Sequence, residues 1–442
     1  MRHLIVLLLS LAVLPVAAAA QEPAASPWQD AAVAFLASLE RGEADSAAAM
    51  LAPSSQGISA EQLRTVWVQV RTQFGRLALL TPGAVTAADS LRLVEVSARF
   101  ERARLGIRVT LTAARQVAGF HIMTVAPVGV DADTPAASPP YVDTTAFREV
   151  TVAIGEGRWR LPATLSIPAT ATPVPAVVLV YGSGPNDRDG TIGPNKPLRD
   201  IAWGLASLGI AVLRYDKRTY AHAGALAPGE TTLGAEVIDD ALAALSFVRA
   251  RTEIDASRVV LVGHSLGGML APEIAARDGR LAGVAILAAP ARDIRVVIAG
   301  QLDYLVSLAP TDAERDQLHA VGAQVEAIRA GSLPADSVVL GAPVRYWNEL
   351  SAVEPAARAR TLDVPLLILQ GGRDYQSTME DFGLWHAALG GRPGVTLRSY
   401  PALDHLFMSG SGTATPSGMM QPGHVAQQVV RDLAEWIDAR GR

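Results

Sequence analysis

The stretch Val259–Gly268, VVLVGHSLGG, decides the fold. Its first four residues are apolar, as in a strand that is buried on both faces of a parallel sheet. A pattern typical of a helix begins after Ser265. Between them, Gly263–Gly267 has the G-x-S-x-G pattern of a nucleophile elbow, a strand-to-helix turn too tight for side chains at the two glycines. We therefore interpret Ser265 as a candidate nucleophile held above a sheet.

Strand and helix patterns alternate on both sides of this turn. A hairpin comes first, with strands Glu149–Ile154 and Arg158–Ile167. Further strands are predicted at Ala176–Tyr181, Ile210–Arg214, Arg258–Gly263, Leu281–Ala288, Val364–Gln370 and Val395–Tyr400. Helices are predicted at Leu198–Leu208, Leu233–Arg251, Leu266–Arg277, Thr378–Leu389 and Val425–Ala439. This alternation predicts an α/β fold over residues 149–442, with a mostly parallel sheet covered by helices.

The alternation stops between residues 292 and about 360, where helical, polar sequence intervenes. We expect this segment to be a helical cap inserted over the C-terminal edge of the sheet. Four aromatic residues are candidates for the lining of a substrate pocket: Tyr181 beside the sheet, and Tyr304, Tyr346 and Trp347 in the insertion. The three aromatics of the insertion are equally consistent with packing inside the cap itself.

The N-terminal part of the chain has a different pattern. Helices are predicted at Trp28–Leu39 and Glu61–Phe74, followed by alternating strands at Leu91–Phe100, Gly106–Ala113 and Phe120–Val125. Helices followed by an antiparallel meander predict a small α+β domain over residues 26–127. Residues 128–148, which are rich in Pro, Ala, Ser and Asp, are predicted to be a linker.

Residues 1–20 have the organisation of a signal peptide. Arg2 precedes an apolar run at Leu4–Val13, and Ala18 and Ala20 form an A-x-A cleavage pattern before Gln21. A membrane anchor is the alternative, but the run is too short to span roughly 30 Å of hydrocarbon. We expect a protein exported to the periplasm or beyond, with no stable membrane insertion after cleavage.

Composition excludes several classes of function. The chain has 442 residues, of which 50% are hydrophobic and 18% are charged, and this composition excludes a disordered protein. Cysteine is absent, so disulfides, thiolate metal sites and a cysteine nucleophile are excluded. The net charge of −5 and the lack of a basic patch make nucleic acid an unexpected partner. No metal site and no cofactor are predicted, and a homo-oligomer is left open.

A serine nucleophile needs a base and an acid elsewhere in the chain. We assign the base to His405, which follows the last predicted strand, with His424 as the rival. We assign the acid to Asp374, at the end of the preceding strand, because adjacent residues seldom face each other and Asp404 is expected to shape its loop instead. Serine, acid and histidine then follow in the chain order of α/β-hydrolases.

An oxyanion hole needs backbone N–H groups aimed at the developing negative charge. Leu266, directly after the nucleophile, is one expected donor. The second is expected from Ser183 in the loop YGSGPNDRDG, residues 181–190. A phosphate-binding loop is the alternative, but no G-K-[ST] follows and Pro185 lacks an N–H. The charged runs at 187–189 and 216–218 are expected to pair and brace these loops, or else to be solvated.

The segments YGSGPNDRDG, LRYDKRTYAH, GHSLGG, GGRDY and LDHLF together resemble the α/β-hydrolase superfamily. More narrowly, the chain resembles bacterial two-domain carboxylesterases with a small α+β domain before the catalytic domain. The resemblance implies hydrolysis of short-chain carboxylic esters through an acyl-enzyme, without a cofactor. Tyr181 departs from the histidine of many relatives, which affects loop packing more than mechanism. The alternatives are an aminopeptidase-like exopeptidase or acyltransferase with the same triad, and a non-catalytic binding protein.

Overall fold

In this computed structural model the described residues are 26–55, 58–88, 90–101, 103–127, 137–222 and 230–441. The predicted signal peptide and residues 128–136 of the predicted linker therefore lie outside the described residues. Within the described ranges, no helix combines the length and apolar character that crossing a membrane requires.

The N-terminal region packs three helices against an antiparallel sheet of four strands in the order β1-β2-β3-β4. Ser26 and Ser59 form capping boxes that start the two longer helices. Phe35, Trp67 and Phe100 belong to its buried core. The elements are α1 (Pro27–Glu40), α2 (Ala44–Ala49), α3 (Ala60–Phe74), β1 (Leu77–Ala88), β2 (Leu91–Phe100), β3 (Ala103–Thr112) and β4 (Val117–Pro127).

The sequence predicted three of these strands and missed β1. This strand contains Pro82 and Gly83, and its pairing with β2 has an irregularity between Pro82 and Val85. Proline cannot donate to a strand ladder and is tolerated at sheet edges, which is the position of β1. The alternation that signals a strand is broken at the same place.

The α/β region contains an eight-stranded sheet in the order β14-β13-β10-β9-β7-β8-β6-β5. Strands β5 and β6 form the predicted antiparallel hairpin at one edge, and β6 is antiparallel to β8, whereas the other pairs are parallel. In chain order the strands are β5 (Phe147–Ile154), β6 (Leu161–Pro168), β7 (Val174–Val180), β8 (Ala211–Tyr215), β9 (Ile254–His264), β10 (Gly283–Leu287), then the short pair β11 (Val338–Val339) and β12 (Ala342–Pro343), β13 (Leu366–Gly371) and β14 (Val395–Tyr400).

Helices cover both faces of this sheet. The helices of the α/β region, including those of the insertion, are α4 (Pro197–Ser207), α5 (Arg218–Ala221), α6 (Asp239–Arg249), α7 (Leu266–Asp278), α8 (Ile294–Leu308), α9 (Asp312–Arg329), α10 (Val344–Ser351), α11 (Pro355–Arg360), α12 (Met379–Leu389), α13 (Pro416–Met419) and α14 (Gln427–Asp438). Val259 and Leu261 on β9 point into one core, and Val260 and Val262 into the other. This alternation explains why the run Val259–Val262 is apolar without interruption.

The structure defines the end of the predicted linker and the elements of the predicted insertion. The last part of the predicted linker packs onto the α/β region, where the Tyr141 hydroxyl donates to Val425 O at 2.8 Å, and its final two residues already belong to β5. The predicted insertion contains α8 to α11 and the β11–β12 pair.

The predicted site residues follow four strands of the large sheet, β7, β9, β13 and β14. The C-terminal ends of these strands meet at one edge of the sheet, which is where ligands bind in α/β folds.

Candidate active site

Ser265 occupies a strained turn between β9 and α7. Its backbone has φ 54° and ψ −120°, a region that non-glycine residues rarely adopt. A Cβ atom at Gly263 would lie 2.3 Å from Gly267 O, and one at Gly267 would lie 2.3 Å from Val180 O. Only glycine fits at either position, so the two glycines of the motif let β7, β9 and α7 approach closely enough to hold the serine in this conformation.

Asp374 and His405, the predicted acid and base, form a buried pair. His405 Nδ1 donates to Asp374 Oδ2 at 2.7 Å. Asp374 Oδ1 accepts from the backbone N–H groups of Gln376 at 2.7 Å and Ser377 at 3.0 Å, and Gln370 Nε2 donates to Oδ2 at 3.1 Å. These donors fix the carboxylate, which in turn fixes the imidazole with Nε2 available to accept a proton.

His264, inside the elbow beside Ser265, contacts the loop of His405. No hydrogen bond links Ser265 Oγ to His405 Nε2 among the described residues, and in hydrolases this bond often tightens only when substrate binds. His264 Nε2 donates to His405 O at 2.8 Å, and the two rings are 4.7 Å apart. His264 also stacks on Tyr181, with 5.2 Å between ring centroids. The position of His264 inside the elbow is evident from the sequence, whereas its contact with the loop of His405 is not.

Burial controls the charge of His264. Its desolvation, and secondarily its proximity to His405, lower its pKa from 6.5 to about 3. Its Nδ1 atom is buried without a hydrogen-bond partner among the described residues, as expected for a neutral ring that donates through Nε2. His264 is therefore neutral wherever the protein is folded near neutral pH.

This burial predicts a pH dependence of stability. Between pH 6.5 and about 3 the unfolded chain binds a proton at residue 264 that the folded protein excludes. The stabilisation is complete above pH 6.5 and is lost as the pH falls, with a slope of at most about 1.4 kcal/mol per pH unit from this group. The free energy of unfolding in urea, measured from neutral pH down to pH 4, should fall less steeply for His264→Gln than for wild type. The exposed His319→Gln is the control, and equal slopes for His264→Gln and wild type would contradict the assignment.

The loop after β7 lies against the nucleophile. A Cβ atom on Gly182 would be 3.0 Å from Ser265 Cβ. Asn186 Nδ2 donates to Ser183 O at 2.8 Å and to Gly184 O at 3.1 Å, which fixes the turn. The backbone N–H groups of Ser183 and Leu266 have no acceptor among the described residues, and Leu266 is the first residue of α7, where N–H groups are free and the helix dipole is positive. Both N–H groups are thus free to bind an oxyanion.

Charged residues brace this loop, one of the two outcomes considered from the sequence. Arg188 and Asp216 form a bidentate pair, with Nη2 2.8 Å from Oδ2 and Nε 2.9 Å from Oδ1. Lys196 Nζ lies 3.0 Å from Asp189 Oδ2. The pair of Arg188 and Asp216 connects the loops after β7 and β8, so the loop at 181–190 is held from two sides.

The rival residues are engaged elsewhere. His424 Nδ1 lies 3.0 Å from Asp200 Oδ2, away from Asp374. Asp404 Oδ1 accepts from the backbone N–H groups of Leu406 at 3.0 Å and Met408 at 2.9 Å, so it shapes the histidine loop, as expected. Throughout the described part of the chain, no group of three or more His, Cys, Asp or Glu residues is arranged to hold a metal ion.

The four candidate pocket residues have different surroundings. Tyr181 lies buried beneath His264. Tyr346 donates to the buried Glu236, and Trp347 donates to Val339 O at 2.8 Å within the small core of the cap. For these two the contacts favour the packing alternative. Tyr304 stands apart, because it lies on the cap helix that contacts the loop of the acid.

The contact between cap and acid loop involves a tyrosine that the sequence analysis did not single out. The rings of Tyr304 and Tyr375 are 5.0 Å apart, and the Tyr304 hydroxyl donates to Ala414 O at 3.1 Å. Gln301 Nε2 on the same helix donates to Gln376 O at 2.9 Å. Burial, with Asp374 and Tyr304 as further causes, raises the pKa of Tyr375 to about 12. Its position directly after Asp374 was the only signal in the sequence.

Comparison with known proteins identifies the family. Residues 196–410 match the family model described as serine aminopeptidase, S33. Esterase EstD of Thermotoga maritima is 37% identical over 380 residues, which cover 86% of this chain and 88% of that protein. Among solved structures, the esterase domain of a Rhodothermus marinus protein is 22% identical and covers 66% of this chain and 98% of that chain, with a TM-score of 0.41. The acylaminoacyl peptidase of Pyrococcus horikoshii is 13% identical and covers 81% of this chain and 56% of that chain, with a TM-score of 0.47.

The relationship to EstD extends over the N-terminal region as well as the α/β region, because it covers most of both proteins. The sheet order and the serine elbow described above are those of an α/β-hydrolase. The chain therefore belongs to the α/β-hydrolase family that includes esterase EstD.

Proposed function

We propose that the protein is a serine carboxylic-ester hydrolase that acts on short-chain acyl esters. The observation that carries the proposal is the juxtaposition of the strained Ser265 turn with the loop of His405, whose imidazole is bonded to Asp374. The relationship to a protein named as an esterase supports the choice of ester as substrate.

In the proposed mechanism Ser265 Oγ attacks the ester carbonyl while His405 Nε2 takes its proton. The negative charge that develops on the carbonyl oxygen is bound by the N–H groups of Ser183 and Leu266. His405 then returns the proton to the leaving alcohol, and the acyl group stays on Ser265. A water molecule, deprotonated by the same imidazole, attacks the acyl-enzyme, and the imidazolium returns that proton to Ser265 Oγ as the acid is released. Asp374 holds the imidazole and stabilises its charged form in both halves.

The cap contacts the proposed site, and we propose that it limits the length of the acyl chain. Helix α8 contacts the acid loop through the bond from Gln301 to Gln376 O and through the rings of Tyr304 and Tyr375, and the Tyr304 hydroxyl reaches Ala414 O in the segment after β14. We propose that Tyr304 and Tyr375 form one wall of the acyl pocket.

We also propose that the N-terminal signal peptide directs export of the protein. Sequencing of the mature N-terminus, which is expected at Gln21, tests this proposal.

Matched activated substrates test this function. We expect purified protein to accelerate p-nitrophenyl butyrate hydrolysis more than L-alanine p-nitroanilide hydrolysis, each relative to its own uncatalysed rate. In a series of p-nitrophenyl acetate, butyrate, octanoate and laurate, kcat/KM should fall with the longer chains. A fluorophosphonate probe should label the peptide that contains Ser265.

The outcomes of this experiment separate the alternatives. Greater acceleration of the anilide would favour the aminopeptidase alternative. Failure of both turnover and labelling, in a protein that unfolds cooperatively on heating, would favour a binding protein that keeps the fold.

A further inference from the structure

A buried lysine lies directly behind the proposed oxyanion hole. Lys217 is 4% exposed, in the segment between β8 and α5. Its Nζ donates to Gly182 O at 2.7 Å and to Glu236 Oε1 at 2.8 Å. The charged runs were expected from the sequence to brace loops, but this pairing with Glu236 and the Gly182 carbonyl was not predicted.

The carbonyl that Lys217 contacts belongs to a particular peptide group. The C=O of Gly182 and the N–H of Ser183 are two ends of the same planar amide, whose electrons are delocalised over O, C and N. A cation bonded to the oxygen draws electron density from the nitrogen and makes its N–H a stronger donor, which is the cooperative effect seen in hydrogen-bond chains. The contact also fixes the plane of the amide, and therefore the direction of the N–H.

Lys217 Nζ is closer to Gly182 O than the neighbouring side-chain donor Asn186 Nδ2 is. Asn186 Nδ2 makes its two shorter bonds to Ser183 O and Gly184 O, and is 3.5 Å from Gly182 O. The backbone N–H of Lys217 donates to Asn186 O at 3.0 Å, so the lysine is attached to the loop that it orients. Gly182 itself lies against Ser265, as described above.

The charge of the buried lysine is balanced by a carboxylate that also contacts the cap. Glu236 is 6% exposed and lies in the π-helical turn Gly234–Ile238, a rare conformation that is frequent at functional sites. The hydroxyl of Tyr346, on cap helix α10, donates to Glu236 Oε2. Burial and Glu236 hold the pKa of Tyr346 well above its ordinary value, so the phenol remains a donor. A continuous chain of bonds thus runs from the cap through Tyr346, Glu236 and Lys217 to the Gly182–Ser183 peptide.

We infer that Lys217 is a positioning residue of the oxyanion hole, which polarises and orients the Gly182–Ser183 peptide so that the Ser183 N–H binds the transition state more tightly than the ground state. This inference rests on the proposed function, since it needs an oxyanion at Ser265. The lysine transfers no proton and does not contact the substrate. A loop brace without an electrostatic role is the alternative that the experiment must separate.

The test removes the charge without leaving an unpaired buried carboxylate, which is itself strongly destabilising. The double variant Lys217→Met/Glu236→Gln is compared with wild type and with Arg249→Met/Asp278→Asn, the same kind of change at another buried ion pair, between α6 and the C-terminal end of α7. We expect kcat for p-nitrophenyl butyrate to fall on the order of ten- to a hundredfold in the double variant, less than the loss of a whole oxyanion donor. KM should change by less than about threefold, because interactions made only in the transition state act on kcat. Arg249→Met/Asp278→Asn should retain wild-type kcat.

The inhibition constant of a transition-state analogue separates an electrostatic role of Lys217 from a purely structural one. The ketone 1,1,1-trifluoro-2-hexanone forms a tetrahedral alkoxide with an active-site serine. Its inhibition constant should rise in the double variant by about the same factor as kcat/KM falls. Unchanged kcat and unchanged ketone affinity, with or without a lower Tm, would overturn the inference and leave Lys217 as a loop brace.

A second variant keeps the inference testable if the double variant fails to fold. Lys217→Gln/Glu236→Gln keeps an amide donor beside Gly182 O, carries no charge and leaves no unpaired carboxylate, and is expected to give intermediate kcat and intermediate ketone affinity. Wild-type values for both quantities in this variant would overturn the electrostatic part. Failure of the proposed function is distinct, because wild type would then neither turn over the ester nor bind the ketone.

Discussion

Ser265→Ala is expected to lower kcat for short-chain esters on the order of 10⁴-fold or more, because no acyl-enzyme can form without the Oγ atom. Residual activity should come only from substrate binding and the oxyanion hole. The substitution removes one oxygen from a residue that is already held at φ 54°, so it should not prevent folding. Turnover of p-nitrophenyl butyrate and labelling by a fluorophosphonate are measured on the same preparation.

Ser246→Ala is the matched control for this prediction. Ser246 lies exposed on α6, and the same chemical change there should leave kcat and labelling as in wild type. Ser265→Ala protein with wild-type turnover would refute the nucleophile assignment. Loss of turnover with a large fall in Tm would show misfolding, and circular dichroism of each variant distinguishes this case.

Gly267→Ala is expected to have the largest effect on stability. The added Cβ would lie 2.3 Å from Val180 O and 2.7 Å from Tyr181 O, distances at which β7 or α7 must move. Clashes with backbone atoms cannot be relieved by a rotamer change, so we expect a loss of about 4 kcal/mol or more, in the range of the most damaging single substitutions. For a region of this size the Tm should fall by about 10 °C or more, or the protein should be recovered only as aggregate.

The control for Gly267→Ala is the same substitution where space is free. Gly322 lies in α9, and a Cβ there meets no atom within 4 Å. Alanine is the better helix former by about 1 kcal/mol, so Gly322→Ala should leave the Tm unchanged or raise it. A Gly267→Ala variant with wild-type Tm would show that the elbow is not packed as described.

The sequence predicts well what local pattern determines. The strand predicted at Arg258–Gly263 and the helix after it follow from one apolar run, two glycines and one serine, because a buried parallel strand and a tight turn leave few alternatives. The first residues of that strand in the structure, Ile254–Ser257, include polar residues and were not predicted. The edge strand Leu77–Ala88 was missed since Pro82 and Gly83 break the alternation that signals a strand. Strand propensity predicts little at the edge of a sheet, where pairing with a single neighbouring strand decides the conformation.

Contacts between distant elements could not be predicted in this way. Lys217 and Glu236 form an ion pair because the segment after β8 lies beside the π-helical turn, and no sequence motif predicts this contact. His264 lies inside the G-x-S-x-G motif, but its bond to His405 O depends on how the loop after β14 folds back. The partner of Tyr346 is a buried carboxylate from another element, so composition alone could not separate a pocket wall from a core position.

The burial of Lys217 also affects how the protein reacts with amine-directed reagents. Of the two lysines in the chain, Lys217 is 4% exposed and bonded at its amine, whereas Lys196 pairs with Asp189 with its side chain 30% exposed. Acylating labels and amine cross-linkers therefore find a single reactive lysine, close to the loop at 181–190. Immobilisation through amines would attach the folded molecule at that point and at its N-terminus, whereas linkage through its many surface carboxylates would attach it in many orientations.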